Sequence, residues 1–114
     1  MDTAPTTTLP TQRYANQYGY SDITPFEVLR VVSERTIDVR RMISVRDPSW
    51  KPEIIPGGFS GHCTNQSEQR WTFESDPSFT TTRIRLNKKG RWFDKWGNRY
   101  CLFDSPIRFH DYNF

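Results

Sequence analysis

The stretch Ile55-Pro-Gly-Gly-Phe-Ser-Gly-His-Cys-Thr-Asn-Gln66 concentrates residue types that can do chemistry. Gly57, Gly58 and Gly61 free the backbone to take positive φ and to approach another surface closely. Around them His62, Cys63, Asn65 and Gln66 can donate, accept or ligate. A small domain usually keeps its function on such a polar, Gly-rich loop.

Three chemistries are weighed there. Zinc needs ligand pairs at spacings such as Cys-x2-Cys or His-x3-His. His62, Cys63, Cys101, His110 and Asp111 are the right types, but no such pair occurs, so neither a metal nor another cofactor is expected. Nucleophilic catalysis would need Cys63 beside a base held by an Asn or Asp. His62 is adjacent, and neighbours in extended chain face opposite ways; His110 and Asp111 meet the same objection. An enzyme therefore requires Cys63, His110 and Asn65 to converge in space, and no catalytic residue is assigned. A phosphate loop is not indicated, because neither Gly-x-Gly-x-x-Gly nor Gly-x4-Gly-Lys-Ser/Thr is present. Gly57 and Gly58 read as a tight turn after Pro56.

A second constellation lies in the C-terminal half. Arg70, Arg83, Arg85, Lys88, Lys89, Arg91, Lys95 and Arg99 interleave with Trp71, Trp92, Phe93, Trp96 and Tyr100. Cations can follow a phosphate backbone while rings stack on bases. Glu74, Asp76, Asp94 and Asp104 are mixed in, so no stretch is purely basic. Trp71 and Trp92 are read as core; Trp96, between Lys95 and Gly97, as exposed. Protein contact fits as well, since aromatics and Arg anchor interfaces, and the Pro-rich loop from Trp50 to Phe59 can present such an anchor. The candidate binding residues are Trp50, Phe59, His62, Asn65, Gln66, Arg85, Lys88, Lys89, Arg91 and Trp96.

These residues must be positioned by a small domain. The chain has 114 residues, net charge +3, 34% hydrophobic and 15% aromatic residues. One modest, ring-rich core is feasible. No apolar run is long enough to span a membrane, the N-terminus lacks a signal-peptide pattern, and two cysteines imply no disulfide framework. A reduced, cytosolic protein is the expectation.

Residues 1–13 read as a flexible arm, and 14–114 as one β domain. Pro25–Val32 and Thr36–Met42 form the clearest hairpin: Phe26, Val28, Arg30 and Val32 alternate with Glu27, Leu29 and Val31, and Ile37 and Val39 with Asp38 and Arg40. A helix over 24–35, capped by Thr24 with Pro25 in its first turn, competes, but Val28, Val31 and Val32 disfavour it. Residues 46–69 form a long ordered loop around the extended Glu53–Ile55. Short strands follow over 70–74, 81–86, 92–93 and 100–103, with turns at Asp76-Pro77, Asn87–Gly90 and Gly97-Asn98. Residues 107–114 read as a last strand closing the barrel. The fold class is mainly β, a small barrel with a long ordered loop and room for one short helix.

The order of parts resembles an SH3-like barrel. The stretches Pro56-Gly-Gly-Phe-Ser-Gly-His-Cys-Thr-Asn-Gln66 and Arg108-Phe-His-Asp-Tyr-Asn-Phe114 are similar to those of a family of small phage and prophage proteins. That resemblance covers most of the chain after residue 17 and brings no established activity. It implies a mobile-element origin and action on host machinery. The leading expectation is a non-enzymatic protein, in the cytoplasm of an infected bacterium, that blocks a host protein or nucleoprotein complex. A nucleic-acid-based defence system such as CRISPR is the named example. Direct nucleic-acid binding is the second reading, and a Cys- or metal-dependent enzyme the third.

Overall fold

The computed structural model of the chain describes residues 9–56 and 61–113. Gly57, Gly58, Phe59 and Phe114 therefore lie outside the described residues, as do residues 1–8 of the expected arm.

The strands are β1 (Tyr14–Tyr18), β2 (Ile23–Thr24), β3 (Phe26–Ser33), β4 (Thr36–Arg46), β5 (Ile54–Ile55), β6 (His62–Cys63), β7 (Trp71–Ser75), β8 (Thr81–Leu86), β9 (Trp92–Phe93) and β10 (Arg99–Phe103). Hydrogen bonding runs β10-β9-β8-β4-β3-β1, and β1 pairs back onto β10. The result is a closed six-strand antiparallel barrel, mainly β and SH3-like. Closure satisfies backbone groups that an open sheet would leave at its edges.

Residues 26–33 are strand, not helix. Val28, Val31 and Val32 have stiff branched side chains that suit a pleated surface better than a helical turn. The alternation along β3 is nevertheless broken. Register shifts leave Leu29 and Val32 without direct partners on β4, and both are exposed, at 42% and 38%. Each inserted residue turns the following side chains over, so Val31 pairs with Ile37 and faces inward instead.

β4 runs on to Arg46, beyond the expected end at Met42. Its first half pairs with β8 and its second half with β7. The core is Ala15, Phe26, Ile37, Val39, Ile84, Trp92 and Tyr100. Phe26 meets Tyr100 edge-on, with ring centroids 5.2 Å apart.

The long loop is ordered where described. It holds the small hairpin β5–β6 and a 3-10 helix, Gln66–Glu68. Gly61 is required at this hairpin, because a Cβ there would lie 2.1 Å from Cγ2 of Ile54.

The barrel-closing strand expected at 107–114 does not form among the described residues. β10 closes the barrel, and the tail makes a single backbone bridge, Ile23 with Phe109. Pro106 has no N–H for a ladder. The Asn16 amide takes over there, donating to the Ser105 carbonyl and accepting from the Ile107 N–H.

Candidate functional site

Two regions hold the residues that the sequence singles out, and they differ in how far their polar groups are engaged within the protein. The first joins the two stretches that stand out in the sequence. Asn113 pairs its side-chain amide with the Cys63 backbone, accepting from N–H at 2.6 Å and donating to C=O at 2.9 Å. Gln69 does the same with His110, at 2.8 and 2.9 Å, and accepts the Trp71 indole N–H as well. Gln66 accepts the Tyr112 N–H. Asn65 accepts from Glu53 N–H and donates to the Lys51 carbonyl. The Asn113, Gln69 and Gln66 amides clip the tail to the loop, and the Asn65 amide ties the loop to itself.

Asn65 thereby uses both ends of its amide inside the protein, and Gln66 uses its side-chain oxygen. Asn65 and Gln66, candidates for ligand contact, act here as backbone clamps. Trp50, expected to present an anchor, is instead 6% exposed and packs on Tyr112 at 5.6 Å between centroids. The apolar ring is better covered than left in water, and Tyr112 with the Arg46 guanidinium supplies that cover. Phe59 lies outside the described residues.

The convergence an enzyme would need is partial. His62 is exposed and Cys63 buried on the opposite face, as extended chain demands. The Cys63 thiol is directed at Asn65 Oδ1, 3.4 Å away. His110 turns instead to Tyr112 and to Asp22, whose carboxylate lies 3.8 Å from Nδ1. Among the described residues no cluster of His, Cys, Asp and Glu could hold a metal ion.

The second region is an outward-facing belt on the barrel. Residues directly opposite in antiparallel strands share a face. Leu86, Trp92, Tyr100 and Gln17 form one such row across β8, β9, β10 and β1, and it faces the interior. The next row is Arg85, Phe93, Arg99 and Tyr18, and it faces out. Cation and ring alternate along it. Neither Arg85 nor Arg99 makes an ion pair or side-chain hydrogen bond with a described residue.

The turn between β9 and β10 adds to this belt. Trp96 is 68% exposed, with the Lys95 ammonium 4.7 Å from its ring centroid. Lys95 and Trp96 overhang β8, enclosing a cleft of about 340 Å³ with Thr81, Arg83 and Arg85. Lys88, Lys89 and Arg91 are exposed at the β8–β9 turn.

Both turns are built alike, from Asn87-Lys-Lys-Gly90 and Asp94-Lys-Trp-Gly97. In each the first side chain accepts backbone N–H groups two and four residues on. The glycines take φ +77° and +87°, a region that costs other residues.

Of the acids mixed among these cations, Asp94 is withdrawn from the surface, whereas Glu74 and Asp104 stay exposed. Asp94 is 8% exposed and accepts from the N–H groups of Trp96 and Asn98, the Asn98 amide and the Tyr100 hydroxyl. Burial alone would raise its pKa, but these bonds outweigh burial and hold it below the usual carboxylate range. Burial, then the Asp94 carboxylate, pushes the Tyr100 phenol up. Asp38 is lowered mainly by its bidentate pair with Arg83, at 2.8 and 3.1 Å.

Sequence order placed Arg85, Lys88, Lys89, Arg91 and Trp96 among the candidates. Arg99 stands in the basic, ring-rich stretch but not among the named binding candidates, and it joins the row by pairing with Phe93. Tyr18 was missed, because only β1–β10 closure brings it there. Of the two tryptophans read as core, Trp92 is in it; Trp71 is half-buried, stacked under Arg108. Comparison with protein-family models, curated proteins and solved structures finds no match to the chain.

Proposed function

We propose that this chain is a non-enzymatic binding protein that engages single-stranded nucleic acid through the belt Arg85–Phe93–Arg99–Tyr18 and the overhanging Lys95–Trp96. The supporting observation is the alternation of guanidinium groups that have no ion pair among the described residues with the half-buried Phe93 ring and the exposed Tyr18 ring across closed strands. Bases stack on such rings whatever their sequence, while arginines follow the phosphates. The buried Cys63 thiol supplies no exposed nucleophile to compete with this reading. The phage setting that the resemblance implies fits a strand exposed within a host nucleoprotein complex, which the protein would block in the bacterial cytoplasm. No helix among the described residues is long and apolar enough to cross a membrane.

The test is fluorescence anisotropy with a labelled single-stranded oligonucleotide over a salt series. Affinity should fall steeply with salt, and the log–log slope should lessen by about 0.7 for each phosphate contact removed. Arg85→Glu with Arg99→Glu should abolish binding while circular dichroism stays unchanged. Affinity that survives both substitutions rejects the belt.

A second reading, contact with a host protein, draws on Ile54 and Ile55, which are 51% and 57% exposed on the β5–β6 hairpin. Pull-down from host lysate with and without nuclease separates the two. A discrete protein complex that survives nuclease and is lost with Ile55→Asp would favour protein contact.

A further inference from the structure

The barrel carries a second cationic cleft, away from the belt, that the proposed function leaves unused. It lies where β2, β4, β7 and the C-terminal tail meet. Thr24, Arg41, Ser44, Trp71, Phe79 and Arg108 line it, in a volume of about 270 Å³. No carboxylate is among its lining residues. The Arg41 guanidinium lies 5.7 Å from the Phe79 ring centroid, and Arg108 lies 5.4 Å from that of Trp71. Each cation is thus braced by a ring on one side.

The two arginines differ in what they have left to give. Arg108 uses Nη1 on the Ile23 carbonyl at 3.1 Å, with longer contacts to Thr24 Oγ1 and the Phe109 carbonyl at 3.5 Å. Its Nε and Nη2 make no hydrogen bond among the described residues. Arg41 makes no side-chain hydrogen bond or ion pair there, so its whole fork is unclaimed. Two guanidinium charges share one recess, with no carboxylate among the described residues that line it.

We infer that this cleft binds the phosphate group of a phosphate monoester. One guanidinium fork satisfies both oxygens of a carboxylate, so a carboxylate ligand would leave the second cation unmatched. A phosphate monoester carries about −1.5 to −2 charges at pH 7 and offers three terminal oxygens. It can engage both forks, with the hydroxyls of Thr24 and Ser44 within the same recess. The cleft is at the small end of ligand sites, which run from about 300 Å³ upward, so it suits a phosphate with its adjoining sugar better than a large cofactor. This inference does not depend on the belt.

The test follows the arginine side-chain NMR signals of the whole chain during titration with inorganic phosphate, a nucleoside 5′-monophosphate and the matching nucleoside. The two phosphates should give saturable shifts at Arg41 and Arg108, and the nucleoside none. Arg41→Gln should weaken phosphate binding by about tenfold or more. Arg41 is exposed and bears no hydrogen bond of the fold, so the variant should remain folded. Lys51→Gln, at an exposed cation that does not line the cleft, should leave phosphate binding unchanged. Equal binding of the nucleoside, shifts confined to Arg85 and Arg99, or an unaffected Arg41→Gln would each overturn the inference. A 5′-phosphorylated oligonucleotide that displaces the monophosphate would identify a strand end as the source; failure to displace it would identify a small free ester.

Discussion

Replacing Asp94 by Asn separates the charge of a buried carboxylate from its shape. Asp94 accepts from two backbone N–H groups through Oδ1, and from the Asn98 amide and Tyr100 hydroxyl through Oδ2, all at 2.9–3.0 Å. An Asn amide can keep the Oδ1 bonds. At the other position it sets an NH2 group against two donors. The Tyr100 hydroxyl already accepts from Gln17 at 3.0 Å and is 2% exposed, so its own proton loses its acceptor. Hydrogen bonds to a charged group contribute roughly 1.5–3 kcal/mol each, and a stranded buried donor costs about 1–3 kcal/mol. Because the bonds share one network, they do not add. A net loss of about 3 kcal/mol is expected. At roughly 4 °C per kcal/mol for a domain of this size, the midpoint of thermal unfolding should fall by ~12 °C. Urea unfolding at pH 7 measures the free energy directly, and Tyr100→Phe completes a double-mutant cycle.

The pH dependence carries its own sign. The folded pKa of Asp94 is depressed, so its contribution is complete above the unfolded carboxyl value of about 3.9 and is lost as pH falls through the lower folded value. Wild type should therefore lose more stability than Asp94→Asn on acidification below about pH 4. Tyr100 behaves oppositely: its raised pKa gives stability that is complete below about pH 10 and is lost as pH rises further. A variant within about 0.5 kcal/mol of wild type at pH 7, with an unchanged acid limb, would refute the reasoning. The same substitution should also weaken oligonucleotide binding, because Asp94 holds the turn that presents Lys95 and Trp96.

Other expectations follow from the same structure. Gly97→Ala and Gly90→Ala should each cost about 1–2 kcal/mol in urea unfolding; no atom lies within 4 Å of the added Cβ, so the cost is conformational strain alone. Gln69→Leu removes the amide that pairs with His110 and receives Trp71. It should destabilise by about 2 kcal/mol and accelerate hydrogen exchange at His110 more than at the barrel residue Ile37. Ile84→Ala, at a fully buried position, should cost about 2–5 kcal/mol without altering ligand affinity per folded molecule.

Much of the barrel is legible in local pattern. The Ile37/Val39 alternation, the Asn87–Gly90 turn and the short aromatic strands each follow from side-chain period and turn chemistry within a few residues. The bulges of β3 are less legible. Phe26–Val32 reads as a regular alternation, and only pairing against β4 shows that Leu29 and Val32 are inserted residues. The tail is misread because residues 107–114 have a strand's composition. Its partners, however, are side-chain amides of Gln66, Gln69 and Asn16, which no periodicity reveals.

Local sequence is enough to specify a small, mainly β fold with rings in its core, and basic residues clustered among rings in the C-terminal half. Those properties depend on neighbours in the chain, where period, branching and turn residues act directly. Which polar groups remain available was decided only by the tertiary structure. Asn65 and the Gln66 side-chain oxygen are engaged by backbone up to 46 residues away, whereas Arg85 and Arg99 have no ion pair or side-chain hydrogen bond among the described residues and lie in one row with Tyr18. The reason is physical: a hydrogen bond or a shared barrel face depends on distance in space, and barrel closure sets that distance independently of separation along the chain.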